Sequence, residues 1–163
     1  MNAIDVLENG HQTVMQAIEG LEAERWEDSG VVGVWSTKDV IAHLASFEAI
    51  LIDVLASISS QDAETPVLDE FLERPAAFND AQVALRAHRM PGVVLEEYRT
   101  NVERALQLAR ALPDERYRRN GLLAWYGDAY DLDDFIAYMY YGHKREHAAQ
   151  IKLFRAAADR PTA

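Results

Sequence analysis

Apolar residues recur along this chain at steps of three and four, the spacing that collects side chains on one face of a helix. Ile4, Leu7, His11, Val14, Ile18 and Leu21 form the first such stripe. They predict a helix of roughly twenty residues ending near Arg25. The stretch 26–35 interrupts the pattern with Gly30 and Gly33. Ser36 followed three residues later by Asp39 has the form of a capping box, so a second helix opens there. Its stripe is Val40, His43, Phe47, Ile50 and Val54, and Leu44, Leu51, Leu55 and Ile58 widen it beyond one seam. That breadth suits a helix inside a bundle, and the pattern fades near Ser60.

A polar run closing on Pro66, then Pro75 and a short helical pattern from Val83 to Arg89, predict a long crossover. Pro91 fits the first turn of a third helix carrying Val94, Tyr98, Val102, Ala105 and Leu108, and Pro113 stops it. The segment 114–131 mixes charge, glycines and aromatics and reads as a connection with room for one helical turn. Asp131 with Asp134 caps a last helix whose stripe runs Leu132, Ile136, Met139, His143, His147, Ile151 and Phe154. No period-two alternation lasts more than a few residues. The expected fold is therefore all-α, a four-helix bundle with a long crossover between helices two and three, with residues 1–163 forming a single domain.

Composition narrows the chemistry. The absence of cysteine removes thiolate nucleophiles and thiolate metal sites, so any metal must be held by His, Asp or Glu. A formal charge of −11 repels the phosphate backbone, which argues against nucleic acid as a partner. No basic start followed by an apolar stretch opens the chain, and no run of about 18 apolar residues follows. The expectation is a cytoplasmic protein that does not span a membrane.

His143 and His147 are four residues apart on a strongly periodic helix, so both imidazoles leave one face with their Cβ atoms about 5–6 Å apart. They share the stripe of Ile136, Met139 and Ile151 and point inward, where two bare imidazoles need a partner. A common metal ion supplies one. His43 lies on the inward stripe of helix two and is the natural third ligand; His11, on the inward stripe of helix one, competes for that place by phase alone. His88 sits beside a break and reads as an exposed loop residue. The run His143-Lys144-Arg145-Glu146-His147 also spells the inverted zincin motif. That reading needs a further downstream glutamate, and the residues after His147 include Asp159 but no glutamate. Glu146 then flanks the site, faces solvent, or orients a ligand ring. Tyr140, one turn before His143, and Phe47, one turn after His43, are candidates for a substrate pocket beside the ion.

Trp35, the capped start at Ser36, His43-Leu44, Glu48 and the late His143-x-x-x-His147 pair together resemble the DinB-like superfamily of metal-binding four-helix bundles. The resemblance spans nearly the whole chain. It implies one divalent ion, zinc or nickel, on His43, His143 and His147. It further implies a metal-dependent S-transferase using a low-molecular-weight thiol such as bacillithiol or mycothiol on a small-molecule substrate, and a homodimer. Phe78-Asn79 with the following VALRAHRMPGVVLEEY is similar to the colibactin-resistance branch, which implies instead a metal-independent hydrolase or sequestering protein. A non-catalytic metal-containing binding module is the third class consistent with these residues.

Overall fold

The computed structural model describes residues 2–159. Helix α1 (Ala3–Ile18) opens on a capping box between Asn2 and Asp5. It ends well before Arg25, because Gly20 turns the chain at φ +67°, a conformation an L side chain resists. Leu21, assigned to the helical stripe from its spacing, therefore lies beyond the helix. The Gly30–Gly33 region, expected only to interrupt the helices, forms a small antiparallel hairpin of β1 (Ser29–Val32) and β2 (Trp35–Ser36), with Ser29 opposite Ser36 and Val32 opposite Trp35. Strands of four and two residues are too short to leave a periodic signal in the sequence.

Helix α2 (Thr37–Ser59) begins where the Ser36–Asp39 box places it: the Ser36 side chain accepts from the Asp39 amide, and the Asp39 carboxylate accepts from the Ser36 amide at 2.9 Å. The crossover folds into α3 (Pro66–Glu73) and α4 (Pro75–Leu85), each with proline in its first turn. Helix α5 (Pro91–Ala111) follows, then the single turn α6 (Asp114–Tyr117). The last helix starts at the Asp131–Asp134 box as α7 (Leu132–Ile136), widens into a π-helical turn (Ala137–Gly142) and continues as α8 (His143–Ala158).

Helix α2 is the axis of this all-α bundle. It packs along α5, α3 and α4 cover its outer side, and α8 lies against α1. Ile41, Leu51, Val54 and Leu55 are all completely or nearly completely buried, each side chain contributing roughly 1.5–3 kcal/mol relative to exposure. By length and composition α2 is apolar enough to cross a membrane, yet 72% of that window is buried inside the bundle. The helix also carries inward polar groups, several of which tie other elements to it. Asp53, for instance, accepts the amides of Val67 and Leu68 at 2.8 and 3.0 Å and so caps α3 from outside, where Thr65 supplies no side-chain cap. Burial nevertheless pushes the Asp53 carboxyl above its ordinary pKa.

Because the Ser36 box starts the helix that organises the core, its removal should register globally. Ser36→Ala is expected to cost about 1 kcal/mol, lowering the thermal midpoint by about 2–4 °C in a chain of this size. An unchanged midpoint would mean that the local packing around the hairpin, and not the cap, fixes the start of α2.

Candidate metal centre

The inward stripes of α2 and α8 bring His43, His143 and His147 together. His143 Nε2 stands 2.8 Å from His43 Nε2 and 2.9 Å from His147 Nε2. The three candidate ligand atoms all lie within 4.8 Å of one another. Among the described residues this is the one group of three or more such side chains that could hold a metal ion. The rings stack edge to face, His43 against His143 at 4.8 Å between centroids and His143 against His147 at 4.6 Å.

Three imidazole nitrogens facing one another cannot all present lone pairs. Without a cation, ring protons must separate them; a divalent ion satisfies all three at once. The electrostatics favour the neutral, ligand-competent form. Burial, then the neighbouring His143 and His147, lower the His43 pKa to about 2. Burial, then His147 and Lys144, lower that of His143 to about 3, against a hydrogen bond with the Met139 backbone that raises it. His147 is lowered mainly by burial. Outer contacts orient two of the rings. His147 Nδ1 lies 2.8 Å from Gln150 Oε1, which can only accept from an N–H there, so the Nε2 lone pair is left free for an ion. Met139, in the π turn, holds His143. His43 Nδ1 is buried without a partner.

Aromatic walls seal two sides. Trp35, delivered by the hairpin, packs on the His43 ring at 5.2 Å, and Phe47 packs on His43 at 4.8 Å and on His143 at 4.7 Å. On the remaining side an open groove of about 520 Å³ is lined by Phe47, Tyr138, Met139, His143 and Glu146. The structure thus places Phe47 in the wall between the histidines and the groove. Tyr140 sits elsewhere than its spacing suggests: its hydroxyl donates to the Phe47 carbonyl at 2.9 Å, and its ring is buried in the core against Phe135. Trp125 and Tyr126 pack with one another and with Phe135, and Tyr130 packs on Tyr126, leaving Tyr138 as the late-chain tyrosine that lines the groove.

His11 does not join the cluster. Its Nδ1 lies 3.3 Å from the Tyr98 hydroxyl and its ring leans on the Tyr98 ring, so the competing place that helical phase left open to it is not taken. His88 is exposed, as expected beside a break. Glu146 is exposed at the mouth of the groove. Sequence reasoning missed Gln150 as an outer partner, although its place three residues after His147 on one helix face was a usable signal. It also missed Trp35 as a lid on His43, which depends on a hairpin that the sequence does not announce.

Comparison with curated proteins and with solved structures gives no match. A family model, the mycothiol maleylpyruvate isomerase N-terminal domain, matches residues 7–132. The matched segment includes His43 and stops at the start of the last helix, which supplies His143 and His147. Its span, which contains Trp35 and His43, and the helical bundle agree with the DinB-like resemblance read from the sequence. The chain belongs to the mycothiol maleylpyruvate isomerase N-terminal domain family, within the DinB-like superfamily.

Proposed function

We propose that His43, His143 and His147 hold one divalent ion, zinc or nickel, and that the protein is a metal-dependent thiol S-transferase-like enzyme acting on a small molecule. The observation that carries this reading is the convergence of three Nε2 atoms beside an open groove. Mycothiol in the family's name supports a low-molecular-weight thiol as co-substrate. A divalent ion held by these three neutral ligands would keep its positive charge and would supply the chemistry of lowering a thiol's pKa at neutral pH.

The chain's own side chains supply the rest. Gln150 fixes the His147 tautomer. Phe47 and Trp35 exclude water from the back of the cluster, and the groove between Tyr138, Met139 and Glu146 gives a second reactant access to the exposed side of His143. No protein nucleophile is required. The fully buried Tyr140, whose hydroxyl is committed to Phe47, has no role in proton transfer in this reading.

His147→Ala should therefore abolish stoichiometric zinc or nickel binding and thiol consumption together while leaving the helical circular dichroism close to the parent's. Excess metal at 100 times its Kd should stabilise the parent by about 2.7 kcal/mol and the variant by much less. Tyr140→Phe is the contrast, and it should retain full metal stoichiometry. If the histidine variant consumed thiol at the parental rate without metal, the transferase reading would fail.

Acid stability supplies a second check, made on metal-free protein. His11 is lowered to about 4 by burial and the nearby Lys144 and Arg99 charges, and the three clustered histidines are lowered as well. An unfolded histidine titrates near 6.5. Below that pH the unfolded chain takes up protons that the folded chain refuses, so stability is complete above about pH 6.5 and falls as the pH drops below it. Thermal midpoints measured from pH 8 to pH 5 should be flat at first and then decline. A midpoint that rises on acidification would contradict the buried, neutral state of these rings.

A further inference from the structure

Beside the histidines lies a second polar contact that the coordination reading does not use. Lys144 Nζ meets Glu48 Oε1 at 2.7 Å, and both side chains are only 1% exposed. Apart from each other, neither of those two atoms has a hydrogen-bond partner. The contact is reached through a close passage. Lys144 runs past Gly10 on α1, where a Cβ would come within 3.0 Å of the Lys144 Cδ atom. Nζ then lies 5.9 Å from the centre of the Tyr98 ring on α5. All four long helices thus surround one buried charge pair.

Its position is unusual in the bundle. Helix α8 packs mainly on α1 and meets α2 only slightly. Yet the candidate metal centre needs α2 and α8 to agree, because His43 comes from one and His143 and His147 from the other. The π turn immediately before His143 alters the helix phase at that place, so packing of α7 does not by itself set the rotation of α8. A slip of one residue moves a helix by about 1.5 Å and turns its side chains by about 100°, and apolar faces resist such slips weakly. Displaced buried charges resist strongly, since both lose their only partner.

A stability role explains the pair poorly, because an apolar pair of similar volume is often as stable as a buried ion pair or more so. We propose that Glu48 and Lys144 are positioning residues: the buried pair pins the register of α8 on α2 so that His143 and His147 meet His43. The inference rests on the metal-binding reading. The Tyr140 hydroxyl bond to the Phe47 carbonyl ties the π turn to α2 one turn earlier, but as a neutral bond it discriminates less between registers.

The test compares three full-length chains with cobalt(II) ions as the probe: the parent, the apolar double variant Glu48→Met/Lys144→Met, and the exchanged pair Glu48→Lys/Lys144→Glu. Cobalt affinity and visible absorption report the coordination geometry, and metal-free thermal midpoints report stability. The apolar variant should melt at or above the parental midpoint yet bind cobalt about 10–100-fold more weakly, with an altered spectrum, the range seen when an orienting partner is lost. The exchanged pair keeps opposite charges across the same gap and should recover most of the affinity. Unchanged affinity and spectrum in the apolar variant would overturn the inference, as would a midpoint far below the parent's, which would make the pair a stability element. An exchanged pair as weak as the apolar variant would also count against it. A parent that binds no cobalt at all would instead refute the metal reading itself.

Discussion

Helix α2 packs along α5 and under the crossover helices and touches the last helix lightly, and a helix buried so completely has little water to satisfy the polar groups it carries. An unpaired buried polar group costs a free energy comparable to a sizeable part of a domain's net stability. Three inward polar residues on α2, His43, Glu48 and Asp53, take their partners from other elements, and those contacts arrange much of the molecule. Asp53 captures the first turn of α3 and so fixes how the crossover begins. Glu48 draws in Lys144, and His43 draws in His143 and, through it, His147. Because the partners come from segments far away in sequence, the polar demands of one apolar helix specify the topology around it.

The same constraint explains why the candidate metal centre is dry on two sides and open on one. Trp35 and Phe47 approach His43 from the hairpin and from α2 itself, which keeps the rings neutral by burial. The groove opens where the π turn exposes Tyr138 and Gly142, next to His143. A ligand set inside a low-dielectric wall with one approach is the arrangement in which a bound cation acts on one incoming ligand with little screening.

What the sequence revealed followed the range of the interactions involved. The Ser36–Asp39 and Asp131–Asp134 boxes are local chemistry, and both helices begin at them. Pro91 and Pro113 bound α5 for equally local reasons. The histidine cluster was legible because four-residue spacing and inward phase on strongly periodic helices leave few other directions for the rings. The π turn was not, since one additional residue in a turn changes the phase without any compositional mark. Tyr140 shows the cost: judged by spacing it reaches toward the three histidines, whereas a carbonyl on another helix takes its hydroxyl. Lys144 and Glu48 were hidden for a different reason, because charged residues are ordinarily solvated and only the finished packing reveals a pair sealed from water.

The π turn divides one continuous helix into halves that answer to different parts of the protein. Leu132, Phe135, Ile136 and Tyr140 pack into the core formed with the end of α2, the crossover and the segment after α5, whereas Ala148 and Ile151 pack into the other core with Val14, Val40 and Tyr98. A strictly regular helix would have forced a single phase on both sets, and a change made for one would have rotated the other. With the phase reset between them, each half can follow its own core, and the exposed Tyr138 in the turn can change the wall of the groove without moving Ala148 and Ile151, which seat the histidine half.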